Sequence, residues 1–339
     1  MTNILVIAPS WVGDAVLAQP LFARLHERHR DLALDVLAPP WTHALFSRMP
    51  EIRAVIGSPF GHGELALLRR YRLARELARG RYAQAIVLPN SFKSALIPWL
   101  AGIALRTGFI GEARRGLLND ARRLDKQALP LMVERFAALA EPAGRDLPRP
   151  LPPPRLAIDD PQRAATLARL GLTLQRPVAV LCPGAEFGPS KRWPAAYFAE
   201  LARKLVDAGY EVWLAGSAHD AGIGEEIARL SERRCVNLGG QTTLAEAIDL
   251  ISCATLVVSN DSGLMHIAAA LDKPLLAIFG SSSPAFTPPV SPHARIIRLD
   301  LPCSPCFQRV CPLGHFNCML QLTPARVWDC IDFARITPL

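Results

Sequence analysis

The sequence predicts an α/β protein made of two doubly wound parallel-sheet domains. Three observations lead there. Short β-rich runs alternate with helical patterns, twice over along 339 residues. The strand runs are near-continuous in apolar residues, as parallel sheets covered on both faces require. Between the two series lies a break at 142–154 holding Pro142, Pro148, Pro150, Pro152, Pro153 and Pro154, a run that neither a helix nor a central strand can accommodate.

In the first series the expected strands are 4–8, 32–37, 54–56, 83–88 and 105–109, with helices over 15–28 and 64–79. In the second they are 178–182, 211–215, 235–238, 255–258 and 274–279, with helices over 195–208, 222–230, 244–252 and 263–271. The domains are therefore expected at 1–150 and 151–325. A C-terminal helix over 326–339 is expected to follow, placed to cross back to the first domain. Ligands of such sheets bind beyond the carboxyl ends of the strands, so two facing domains predict a site in the cleft between them.

Composition narrows the function. With 50% hydrophobic and 20% charged residues the chain is an ordinary globular one. The longest stretch free of Asp, Glu, Lys and Arg, 274–294, carries five prolines and reads as no membrane span. No Lys or Arg precedes the opening apolar run and Asp14 interrupts it, so a cytoplasmic chain without a secretory signal is expected. The net charge of +8 is one-sided: residues 1–150 carry 21 Lys and Arg against 13 Asp and Glu, and the remainder is balanced. A basic first half points to an anionic partner or, equally, to solubility.

Three loops could carry chemistry. Directly after the first strand, Gly13 precedes Asp14 at a helix start; spacing alone favours a helix cap over a general base. After the first strand of the second domain comes Cys182-Pro-Gly-Ala-Glu-Phe-Gly-Pro-Ser-Lys-Arg-Trp-Pro194. Its glycines, hydroxyl and cations ahead of a helix suit a diphosphate. After the fourth, Ser259-Asn-Asp-Ser-Gly-Leu-Met-His266 opens a helix whose N–H groups suit the same anion, although a single histidine on an Ala-rich helix is more often structural. Two such loops and a possible base suggest a nucleotide-dependent transferase. No D-x-D sequence is present, so a metal-bridged diphosphate is not favoured. Cys303, Cys306, Cys311 and Cys318 have a spacing unlike a paired zinc ribbon, and reduced thiols in a loop are favoured over a structural metal. Cys182, Cys235, Cys253 and Cys330 read as core residues.

The opening Ile4-Leu-Val-Ile-Ala-Pro-Ser-Trp-Val-Gly-Asp14 resembles that of bacterial lipopolysaccharide heptosyltransferases, glycosyltransferase family 9. So do Leu88-Pro-Asn-Ser-Phe-Lys-Ser94, Arg106-Thr-Gly108, the whole 182–194 block and Asn260-Asp-Ser-Gly-Leu-Met-His-Ile-Ala-Ala-Ala270. The likeness runs from about residue 3 to the C-terminus. It implies the GT-B architecture and an inverting transfer that needs no cofactor and no metal. The implied donor is ADP-L-glycero-D-manno-heptose, held mainly by the second domain. The implied acceptor is a heptosyl-Kdo2-lipid A held mainly by the first, at the cytoplasmic face of the inner membrane.

Residue by residue, the resemblance implies Asp14 as the catalytic base and Lys191 as the cation on departing ADP. Gly13, Ser190, Asp261, Ser262, Gly263 and His266 would surround the donor, with the Asp220 region near the ribose. Lys93, Arg69, Arg70 and Arg72 are the acceptor candidates. The cysteine cluster occurs in some relatives and not others, which argues against a catalytic role. The first alternative is heptosyltransferase I or III or another GT-B sugar-nucleotide transferase, in which Asp14 and Lys191 would serve alike and only the acceptor would differ; two rival classes beyond it are weaker. A nucleic-acid or membrane-surface binder leaves the loops of the neutral half unexplained and lacks interleaved aromatics. A dinucleotide oxidoreductase lacks G-x-G-x-x-G.

Overall fold

A computed structural model describes residues 2–61 and 64–333. Residue contacts divide the chain into two compact units, Met1–Pro154 and Arg155–Leu339.

The first unit carries β1 (Thr2–Ile7), β2 (Leu32–Ala38), β3 (Ala54–Gly57), β4 (Gln84–Val87), β5 (Leu105–Phe109) and β6 (Asp120–Arg122). They form one parallel sheet in the order β3-β2-β1-β4-β5-β6. The second unit carries β7 (Val178–Cys182), β8 (Glu211–Leu214), β9 (Val236–Asn237), β10 (Ala254–Asn260), β11 (Leu275–Ile278) and β12 (Ala294–Ile297). Their order, β12-β11-β10-β7-β8-β9, is the same Rossmann order repeated. The apolar runs explain the central strands: all five residues of β7 and all seven of β10 are buried. The helices supply matching stripes. Over Ala195–Asp207, for instance, Phe198, Ala199, Leu201, Ala202 and Leu205 enter the core of the second unit.

Two expected helices need correction, and other elements went unforeseen. The helix expected over 15–28 is two pieces, Val12–Leu17 and Gln19–Arg28, because Pro20 lacks the N–H that would continue the ladder. The edge strands β6 and β12 escaped the apolar criterion, being Asp-Ala-Arg and Ala-Arg-Ile-Ile. Phe92–Leu100 is helical despite Pro98. At the C-terminus the helix is only Pro324–Trp328, and Val327 and Ile331 are buried in the core of the second unit; residues 334–339 lie outside the described residues. No helix among the described residues is long and apolar enough to cross a membrane.

Candidate active site

Strand register decides which loops meet. In the second sheet β7 lies between β10 and β8, where the strand order reverses. Cys182 pairs with Ser259, and Asn260 with Ile278. The segments starting at Pro183, Asp261 and Phe279 therefore leave the carboxyl edge side by side. Asn260, fully buried, ties two of them: its amide donates to the Pro183 carbonyl at 2.8 Å and accepts from the Trp193 N–H at 3.1 Å.

This juxtaposition builds a compact polar cluster. Lys191 Nζ stands 2.6 Å from Asp261 Oδ2, with side-chain exposures of 16% and 5%. Ser282 Oγ donates to the same oxygen. The Lys191 ammonium also lies 5.0 Å from the centre of the Phe187 ring. His266 is buried one turn into the helix Gly263–Ala270. Burial pushes its imidazolium down to about 4, the Asp261 charge works against that shift, and the Lys191 charge adds to it. The ring is thus neutral at neutral pH. Its Nδ1 is buried with no hydrogen-bond partner among the described residues, and so is Nε of Arg192. Orphaned polar atoms of this kind are uncommon in folded proteins. Ser262 caps the helix in extended conformation with no side-chain cap bond, and Gly263 begins it. The N–H groups of that first turn have no acceptor within the helix.

Ser190 requires a correction. Its side chain is buried, its Oγ donates to the Gln308 carbonyl, and it shares a 3.0 Å hydrogen bond with Ser281. The hydroxyl expected to face a phosphate instead bolts two loops together. Asp220 accepts from the Ser217 N–H and hydroxyl, closing its own turn, and its carboxyl fills the space beside Gly184, where a Cβ would stand 2.4 Å away.

The first unit has its own convergence of loops. Ile7 pairs with both Leu37 and Val87, so the segments after β1, β2 and β4 leave together. Trp41 donates its indole N–H to the Ser10 carbonyl at 2.7 Å across two of them. The helix cap is Trp11 and not Asp14; Asp14 is the third residue of the helix, after Gly13, and is partly exposed. A negative charge in a first turn lies favourably in the helix dipole.

Among the acceptor candidates Arg72 is exposed, and Lys93 is partly exposed at the start of its helix. Arg69 is exposed but engaged, pairing with Glu64 at 2.6 Å. Arg70 is turned inward, a second correction. It is buried, lies 4.0 Å from the centre of the Phe60 ring, and donates to the carbonyls of Leu65, Lys93 and Glu64. Arg70 ties the 64–65 segment to the start of the Lys93 helix, and its buried head is taken up by these carbonyls.

All eight cysteines are free thiols. Cys182, Cys235 and Cys253 are buried, and Cys330 packs half-buried against the core. Among the described residues no group of three or more His, Cys, Asp or Glu stands as a metal site. Sequence reading missed Asn260 as an anchor, along with Ser281, Ser282 and the 308–309 backbone. The one available signal was that Gly280–Ser283 follows an apolar strand.

Two Rossmann-ordered units, one presenting a lysine–carboxylate pair and a buried imidazole at its switch point, fit an α/β protein that takes an anionic ligand such as a nucleotide. Known proteins agree and are more specific. The model of glycosyltransferase family 9 (heptosyltransferase) matches residues 70–317, and the chain belongs to this family. It is 49% identical to lipopolysaccharide heptosyltransferase 2 of Escherichia coli (strain K12) over 336 residues, 96% of this chain and 97% of the relative. It is also 49% identical to lipooligosaccharide heptosyltransferase 2 of Haemophilus influenzae over 310 residues, 88% of each. The solved E. coli ADP-heptose lipopolysaccharide heptosyltransferase II superposes with a TM-score of 0.88 at 46% identity, covering 99% of this chain and 98% of that one.

Proposed function

We propose that this chain transfers L-glycero-D-manno-heptose from ADP-heptose to the first heptose of the lipopolysaccharide inner core, with inversion and without a bound metal or other cofactor. Its relatives at 49% identity carry the name heptosyltransferase 2, which supports that step over those of heptosyltransferases I and III. Within the molecule the reading rests on the cluster of Lys191, Asp261 and the buried, unpartnered Nδ1 of His266.

In this reading Lys191 meets the donor diphosphate and stabilises it as it departs. His266 is a neutral hydrogen-bonding group beside it, and the first turn at Ser262 and Gly263 adds N–H donors. Asp261 orients Lys191. Asp14 takes the proton of the acceptor hydroxyl as that oxygen attacks the anomeric carbon, a contribution of typically ~10²–10⁴-fold. The acceptor carries carboxylates and phosphates, which suits a first unit with a surplus of eight positive charges over residues 1–150. Arg72, Lys93 and Arg69 are the acceptor cations. Exposed Leu65, Leu67, Leu68 and Tyr71 beside them suit transient contact with the inner-membrane surface.

The test is transfer from ADP-heptose in EDTA to two purified acceptors, Kdo2-lipid A and the same lipid bearing one heptose. Product only on the heptosylated lipid supports the proposal. Product only on the bare acceptor reassigns the chain to the heptosyltransferase I step. Activity abolished by EDTA and restored by a divalent cation would overturn the metal-free reading.

A further inference from the structure

The loop between Asp300 and Cys318 holds the four-cysteine motif, and only its 308–309 backbone entered the site described above. It is nevertheless fastened to that site at several points. The Phe307 N–H donates to the Ser281 carbonyl at 2.7 Å, and Ser304 Oγ to the Gly280 carbonyl at 2.6 Å. The Ser190 N–H donates to the Arg309 carbonyl at 3.2 Å, and Ser190 Oγ to that of Gln308. Gly188 has φ +152°, and a Cβ there would stand 2.5 Å from the Arg309 carbonyl oxygen. Glycine is needed at 188 because the 309 backbone lies against it. Arg309 is thus delivered by a fixed backbone to the edge of the 187–191 loop.

Its side chain is exposed and its guanidinium lies 5.6 Å from the centre of the Phe187 ring, the same ring that Lys191 approaches at 5.0 Å. An aromatic face attracts a cation without neutralising it. Arg309 forms no ion pair with any carboxylate among the described residues. Lys191 does, so Lys191 and Asp261 together offer a diphosphate no net charge, and a neutral His266 adds none. Arg192 is the other cation of the loop, but its head turns back toward the Ala185 carbonyl at 3.4 Å.

We propose that Arg309 is a donor-binding residue: the second cation on the nucleotide diphosphate, held in reserve on Phe187 and carried by the cysteine loop. A planar guanidinium suits that task, since it can engage two phosphate oxygens at once. The inference rests on the reading of the donor as a nucleoside diphosphate sugar.

The experiment is calorimetric titration of the full chain, as wild type, Arg309→Ala and Arg309→Lys, with ADP and with AMP, alongside melting temperatures. Arg309→Ala is expected to lose about tenfold or more in ADP affinity, to keep AMP affinity within about twofold, and to melt with the wild type; Arg309→Lys is expected to recover part of the loss. If the wild type binds ADP and Arg309→Ala binds it equally well, the assignment is overturned. An equal loss for ADP and AMP accompanied by a lower melting temperature overturns it too, and makes Arg309 a packing residue of the loop. A wild type that does not bind ADP removes the donor reading itself, and this inference with it.

Discussion

Replacing Lys191 by Met removes the ammonium 2.6 Å from Asp261 and keeps the apolar stem. Asp261, with 5% of its side chain exposed, is then a buried carboxylate supported by the Ser282 hydroxyl but by no cation in Lys191's place. Removing one partner of a buried pair costs about 3–5 kcal/mol. The 16% exposure of Lys191 puts this case near the lower end, at about 3 kcal/mol. For a unit of this size that is a fall in melting temperature of roughly 6–12 °C. The double variant Lys191→Met/Asp261→Asn removes the stranded charge, and an amide oxygen still accepts from Ser282. It should return to within about 1 kcal/mol of the wild type, since replacing both partners is far cheaper than replacing one. ADP affinity should be lost in both variants. Thermal unfolding and titration calorimetry on the three proteins separate the two effects. A double variant no more stable than the single one would refute the buried-pair argument, and a single variant with wild-type ADP affinity would refute the phosphate role of Lys191.

Two further outcomes follow from the same cluster. Asn260→Ala strands the Pro183 carbonyl and the Trp193 N–H, each at about 1–3 kcal/mol; urea unfolding should lose roughly 2–6 kcal/mol and the KM for the donor should rise, whereas unchanged values of both would deny Asn260 its anchoring role. His266 titrates near 6.5 when unfolded and is pushed down to about 4 by burial in the fold. Between those values the unfolded chain binds a proton that the folded chain does not, so stability present above pH 6.5 is lost as the pH falls toward 4, by about 3 kcal/mol. His266→Gln should flatten this part of the urea-midpoint profile relative to the wild type, and parallel profiles would contradict a buried neutral imidazole.

The sheets were legible because their central strands are written in apolar residues. β7 and β10 stand where the runs at 178 and 255 place them, whereas β6, made of Asp120, Ala121 and Arg122, has no apolar signature to find. Loop chemistry was legible as residue types and not as partners. A hydroxyl beside a lysine reads as a phosphate ligand, but the Ser190 bond goes to a carbonyl 118 residues away, which no local pattern announces. Arg70 was more readable than the basic run around it suggests. It shares the i, i+3, i+4, i+7 face with Leu73, Ala74 and Leu77, all buried, and periodicity weighed above charge would have turned it inward. The position of Asp14 depended on where the helix begins, and an uncapped start at Trp11 moved it from cap to first turn.

The central claim is a division of labour: the second unit holds the nucleotide, and Asp14 in the first removes the acceptor proton. Its most direct test is Asp14→Asn, with ADP affinity by calorimetry and single-turnover heptose transfer on the same preparation. The account predicts near-wild-type ADP affinity with transfer slowed by ~10²–10⁴-fold. Transfer at the wild-type rate would contradict it.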